Sequence, residues 1–144
     1  MDLPSHLKFK GILTQGGAFK AQLSINPSKA RYYFILNVDP QTDTVLVLVT
    51  STTDFFSHRS CQGGDSIHIN LSRQDYNELT ANCLICCDRP RKMSKSILEK
   101  QLKNQEYAIL KPLPKEVLNR ILAGIKKSPV VSSDIKELVL GNNT

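Results

Sequence analysis

The sequence lacks tryptophan, and it has no apolar run near the length that a membrane-spanning helix needs. Its first residues, Met-Asp-Leu-Pro-Ser-His, do not form the charged and apolar regions of a signal peptide. Internal repeats and low-complexity tracts are absent as well. These absences argue against a membrane protein and predict a cytoplasmic location. The 144 residues predict a single domain over 1–144, with a core large enough to be stable unaided and residues 1–10 as an N-terminal arm.

Acidic residues are in the minority. The chain has 13 Asp and Glu against 19 Lys and Arg, so its formal net charge is +6 and its pI is near 9.2. An excess of this size favours polyanionic partners, either nucleic acid or an acidic polypeptide. Charge alone does not choose between these two classes of partner.

Cysteines are few, and their spacing leaves two interpretations. The pair Cys83-x-x-Cys86, with His58-x-x-Cys61 upstream, has a spacing that a zinc site can use. However, Cys86 and Cys87 are neighbours in an apolar run, and neighbouring strand residues point to opposite faces. We therefore expect no metal site, and we expect the cysteines of this run to pack as small hydrophobic side chains.

The most strongly patterned stretch is residues 31–53, which predicts a β-hairpin around the turn 39–43. Val, Ile, Tyr and Phe dominate both flanks and favour a pleated surface. Both faces of the two strands are largely apolar, so the hairpin is expected to be covered on both sides. Arg31 begins the first strand and Thr50 lies near the end of the second. Because these ends are adjacent in an antiparallel pair, this polar rim is the first candidate site.

Strands precede helices along the rest of the chain. The fold class predicted from this order is α+β, with a mostly antiparallel, barrel-like sheet and C-terminal helices. Pro90 interrupts the polar stretch 88–92 and is expected to prevent a central ladder from continuing there. The further predicted elements are strands at 7–13, 19–25, 66–71, 83–87 and 107–110, a turn at 26–28, a loop at 54–65, helices at 95–104 and 115–127, and a last helix that Ser132 or Ser133 caps and Gly141 ends.

Two motifs in this order resemble the PemK/MazF family of bacterial toxins, the ribonucleases of type II toxin–antitoxin systems. One is the hairpin, in which an Arg begins a strand and the following apolar strand ends in Val49-Thr50-Ser51. The other is Cys87-Asp88-Arg89-Pro90-Arg91, which resembles the Cys-Asp-Gln-Pro-Arg of PemK-type members. The resemblance covers roughly residues 7–125, and residues 126–144 form a C-terminal helical extension beyond the family core.

The resemblance implies a small SH3-like β-barrel, usually a homodimer, that cleaves single-stranded RNA selectively without metal or cofactor. It also implies inhibition by an antitoxin whose acidic segment covers the active groove. By the family's pattern, Asp88 matches the general base, Arg31 a catalytic arginine, and Thr50 a threonine that binds RNA or stabilises the transition state. The candidate RNA-binding residues are Arg89, Arg91, Lys92, Ser51 and His58. Of these, His58 is also a candidate proton donor if the loop 54–65 folds over the groove.

The sequence departs from the family's pattern at three positions. PemK-type members place a catalytic Arg two residues before the aspartate, where this chain has Cys86. Tyr32 stands in place of a common proline, and Gly11 is not followed by an acidic residue. Two alternatives therefore remain open. The first is a catalytically impaired member that binds nucleic acid or protein, including the gyrase-poison type, and the second is a plain interaction module.

Overall fold

The computed structural model describes residues 9–52 and 68–141. Strands occupy most of the first two thirds of this part of the chain, and helices follow. The elements are β1 (Ala18–Leu23), β2 (Asn26–Ile35), β3 (Val45–Thr52), β4 (His68–Leu71), β5 (Cys83–Cys86), β6 (Arg91–Ser94), α1 (Lys95–Lys103), β7 (Ala108–Leu110), α2 (Lys115–Lys127) and α3 (Ser133–Leu140). This order and the antiparallel pairing confirm the α+β class predicted from the sequence.

Strand β3 is the centre of the sheet. It pairs with β2 along one edge, as the sequence predicted, with Tyr33 opposite Thr50 and Ile35 opposite Leu48. Its other edge pairs first with β6 and then with β5. Strands β1 and β7 extend the sheet beyond β2, while β4 extends it beyond β5. Because β3 has neighbours on both edges, its backbone is shielded and its side chains need cover on both faces.

Two apolar clusters provide this cover, one on each face of the hairpin. On the first face Phe34 and Val49 pack with residues of α2 and α3, including Ile121 and Val139. On the second face Tyr33 and Leu48 pack with α1 and with residues 9–13. The alternation of the two strands therefore sorts their side chains into separate cores, which confirms the prediction of a hairpin covered on both sides.

A buried amide closes the turn of this hairpin. The Asn37 side chain is fully buried; it donates to the Asp43 carboxylate at 2.8 Å and to the Val45 carbonyl at 3.0 Å. It also accepts from the Val47 N–H at 2.6 Å. Within the turn, the Thr42 hydroxyl donates to the Asp39 carboxylate at 2.7 Å. Burying a polar side chain is tolerated here because its donors and acceptors are paired.

Helix α3 lies against the turn end of the hairpin, beside the residues that follow β2. The Val38 N–H donates to the Leu138 carbonyl at 2.9 Å, and the Gln15 amide donates to the carbonyls of Leu36 and Val139 at 2.9 Å each. Gly141 ends the helix with a φ of 80°, a left-handed conformation that glycine adopts without strain. The C-terminal helix is therefore joined to the hairpin by one main-chain hydrogen bond and by the bridge of the Gln15 side chain.

Three local predictions were wrong. Residues 9–11 are helical and not part of a strand at 7–13; Phe9, Ile12 and Leu13 are buried at helical spacing, which a short alternating pattern conceals. The turn predicted at 26–28 lies at 24–25, and β2 already begins at Asn26, where its ladder with β1 shifts register. Residues 91–94 form a strand, although the sequence indicated only a turn before a helix.

No helix within residues 9–52 and 68–141 is long and apolar enough to cross a membrane.

Candidate functional site

On the edge of β3 away from β2, the pairing strand is interrupted between β5 and β6. Ser51 pairs with Ile85 of β5, and Leu48 pairs with Arg91 of β6. Between these two pairs, β3 has two residues, 49 and 50, whereas the facing chain has five, 86–90. The facing chain therefore carries three extra residues opposite Thr50, and Asp88 is at their centre.

The sequence of this bulge explains its shape. A tight turn forms because the Arg89 N–H donates to the Cys86 carbonyl at 3.3 Å. Pro90 follows, and since proline has no N–H it cannot donate to the ladder. Pairing resumes at Arg91. The predicted interruption at the proline is thus confirmed, but it lasts only a few residues.

The Asp88 carboxylate is held by a residue from the distant end of α2. The Ser128 hydroxyl donates to Asp88 Oδ1, and Ser128 is 1% exposed. Helix α2 packs on the face of the sheet that carries Val49, so Asp88 is directed towards that side. Ser128 was not among the predicted site residues. Nothing in the spacing of the sequence connects it to Asp88, 40 residues away.

Arg31 and Thr50 share the second face of the hairpin. Thr50 is directly opposite Tyr33, and Arg31 is one alternating step from Tyr33 along β2. The Thr50 hydroxyl donates to the Tyr32 carbonyl at 2.8 Å, which fixes its rotamer against β2. Arg31 is half-buried, and its buried Nε has no hydrogen-bond partner. A buried donor without a partner is costly, which makes this guanidinium a candidate to bind an anion.

The basic candidates Arg89, Arg91 and Lys92 are all exposed, but they do not lie on the same face of the sheet. Arg91 is opposite Leu48, so it lies on the same face as Thr50, whereas Lys92 is opposite Val47 and lies on the other face. Arg89 lies within the bulge. The structure therefore brings Arg31, Thr50 and Arg91 to one face. Ser51 lies next to Thr50 in β3, but its side chain, like the whole of His58, is outside the described residues.

The cysteines that precede Asp88 differ in whether they form a disulfide. Cys86 is disulfide-bonded, which corrects the expectation that it packs as a free thiol. Cys83 and Cys87 are buried and form no disulfide, as expected. Burial and, as a smaller cause, the neighbouring negative charge of Asp88 raise the pKa of the Cys87 thiol to about 12. Within residues 9–52 and 68–141, no group of three or more His, Cys, Asp or Glu residues is placed to hold a metal ion.

Comparison with solved structures decides the fold. The chain superposes on the MazF chain of a MazE–MazF crystal structure from Deinococcus radiodurans with a TM-score of 0.50 and 10% sequence identity. The match covers 79% of this chain and 92% of that chain. The fold is that of MazF.

The MazF-like fold confirms the fold predicted from the hairpin and from the Asp88 motif. At 10% identity the similarity concerns the fold alone. No protein-family model matches the sequence, and no curated protein matches it.

Proposed function

We propose that this protein is the toxin of a type II toxin–antitoxin system and a sequence-selective endoribonuclease that cleaves single-stranded RNA without a metal ion. The observation that carries the proposal is the MazF-like fold together with an aspartate-centred bulge opposite Thr50. The two arginines on the face of Thr50, Arg31 and Arg91, support it because an RNA chain presents one negative charge per phosphate.

The chemistry assigns a role to each part of the site. Cleavage by the 2′-hydroxyl requires a base for its proton, an acid for the leaving 5′-oxygen, and positive charge at the phosphorane. Asp88 is the candidate base, and Arg89 in the same bulge is a candidate for the positive charge at the phosphorane. Arg31 and Arg91, on the face of the sheet away from α2, are candidates to bind the RNA backbone. Arginine is a poor proton donor because it stays protonated. His58 is the candidate acid.

An acidic antitoxin is the second part of the proposal. The net charge of +6 favours a polyanionic partner, and the structural neighbour is described as a MazE–MazF assembly. An acidic segment laid across Arg31 and Arg91 would compete with RNA for the same charges. We further propose a cytoplasmic homodimer, as the family resemblance implies.

Binding of RNA or protein without cleavage is the second candidate, and one observation favours it. Cys86 occupies the position of the PemK-type arginine, and a cysteine, here disulfide-bonded, cannot replace the positive charge of that arginine. Under this alternative, Asp88 contributes only to the shape of the bulge.

The deciding experiment compares wild type, Asp88→Ala and the control Asp134→Ala, which removes an exposed aspartate from the first turn of α3. Each is induced in cells and its transcript ends are mapped, and each purified protein is assayed on RNA with EDTA. We expect new RNA ends from wild type and Asp134→Ala, and at least about 100-fold slower cleavage by Asp88→Ala because the base is missing.

Two other outcomes would change the conclusion. Growth arrest by the wild type without new RNA ends would contradict the ribonuclease proposal. Arrest that persists in Asp88→Ala, with RNA bound but uncut by either protein, would favour the binding alternative.

A further inference from the structure

Ser128 is one of the few buried polar residues in the described part of the chain, and its surroundings fix it closely. It is the C-cap residue of α2, where its N–H donates to the Ile125 carbonyl at 3.2 Å. Its own carbonyl accepts from the Lys136 ammonium of α3 at 2.8 Å. The main chain of Ser128 is therefore held from both of the last two helices.

The hydroxyl of Ser128 has only one possible direction for its hydrogen. Its oxygen accepts from the Val130 N–H at 3.3 Å. Since a serine hydroxyl has a single hydrogen, that hydrogen is donated to Asp88 Oδ1. The buried Ser128 hydroxyl therefore donates its hydrogen to the Asp88 carboxylate and to no other group.

Stability alone does not explain a carboxylate at this place. The free carbonyls at the C-terminus of a helix carry partial negative charge, so an acidic group beside them is disfavoured. The Lys136 ammonium offsets part of this charge, because it also binds the Lys126 carbonyl at 3.1 Å. At this helix end the group held against the carboxylate is therefore a hydroxyl donor.

We propose that Ser128 is a positioning residue that orients the Asp88 carboxylate for its reaction with RNA. The proposal rests on the proposed ribonuclease function and extends it, since it makes the C-terminal helices part of the active site. The three extra residues of the bulge do not pair with β3, so the hydrogen bond from Ser128 is one of the contacts that fix the position of Asp88. A carboxylate can accept about four hydrogen bonds, so the bond from Ser128 can orient Asp88 without by itself preventing it from taking the substrate proton.

The test uses the full chain and a single-stranded RNA oligonucleotide that contains a mapped cleavage site. Ser128→Ala removes the hydroxyl, and Ser128→Cys replaces it with a weak donor of similar shape. The matched control is Ser132→Ala, which deletes another serine hydroxyl of the same segment; that hydroxyl accepts from the Ile135 N–H and does not contact Asp88. Circular dichroism melts check that each variant is folded.

We expect kcat to fall about 10- to 100-fold in Ser128→Ala and Ser128→Cys, because the carboxylate loses its orientation, while KM changes less than about twofold. Ser132→Ala should keep both constants. In an Asp88→Asn background, Ser128→Ala should cause no further loss, since the group that it orients no longer acts as a base.

Three results would overturn the proposal. They are wild-type kcat in a folded Ser128→Ala or Ser128→Cys protein, an equal loss of kcat in Ser132→Ala, and a full further loss in the Asp88→Asn background. An inactive wild type would overturn the proposed function as well, so the two failures are distinguishable.

Discussion

At the scale of single residues, Asp88 is bordered by two groups that become buried on folding. Cys87 precedes it and enters the core beneath α2, while the Ser128 hydroxyl reaches it from the end of that helix. The short motif around Asp88 made this aspartate a candidate from the sequence alone, since its residues are adjacent in sequence. Ser128 was not predictable, because only the packing of α2 on the sheet brings it near.

Cys87 provides a prediction at this scale. Burial raises its pKa to about 12, and because the thiolate is the reactive form, the folded protein should resist iodoacetamide at pH 8. Peptide mass spectrometry should find Cys87 unmodified in native protein and fully modified in urea, with glutathione as a reactive control. Rapid modification of folded protein at pH 8 would contradict the burial of this thiol.

The same shift sets the alkaline limit of stability. Because the pKa of Cys87 is higher in the folded than in the unfolded state, its contribution to folding stability is fully present below the unfolded value of about 9. That contribution is lost as the pH rises towards 12. The free energy of unfolding should therefore fall by up to about 1.4 kcal/mol per pH unit across this window.

At the scale of elements, helix ends were predicted better than strand ends. Serine before an amphipathic run indicated where α1 and α3 begin, although only at α3 does the serine side chain make a capping hydrogen bond. Strand β6 was missed because Pro90 argued against a continuous β-ladder. The ladder resumes at Arg91 because β3 lies beside it, and this depends on β3 rather than on the residues of β6. Pairing partners distant in sequence decide such boundaries.

The two capping serines differ in a way that can be measured. The Ser132 hydroxyl accepts from the Ile135 N–H at 3.3 Å, whereas the Ser94 side chain makes no capping hydrogen bond. Ser132→Ala should therefore destabilise the protein by about 1 kcal/mol. Ser94→Ala should change stability by less than about 0.5 kcal/mol. Urea denaturation with linear extrapolation measures both, and equal losses would show that the geometry of the caps does not matter.

At the scale of the whole molecule, one sheet separates two different surfaces. Helices α2 and α3 cover the face of Phe34 and Val49, and α1 covers the other face around Leu48. The two-sided apolar pattern of the hairpin predicted this layering directly. The helical turn at residues 9–11 was not predictable from so short a pattern, because Phe9 becomes part of the second core only when β1 and α1 are in place.

The distribution of charge over these two faces gives the last prediction. Arg91 is exposed on the face of Thr50, whereas Lys115 is exposed at the start of α2, on the opposite side of the sheet. Each phosphate contact on single-stranded RNA contributes about 0.7 to the slope of log K against log salt, because it releases condensed counterions. Arg91→Ala should therefore weaken RNA binding and lower this slope by about 0.7, while Lys115→Ala should leave both unchanged.

Fluorescence anisotropy between about 50 and 200 mM salt, with the Asp88→Ala protein as a background that leaves RNA intact, measures the slope. Equal effects of the two substitutions would mean that RNA responds to the net charge of +6 as a whole. A loss confined to Arg91→Ala would place the phosphate backbone on the face that Arg31 and Thr50 share. The same pair of variants tests the antitoxin, since an acidic segment that competes with RNA must lose affinity for Arg91→Ala and keep it for Lys115→Ala.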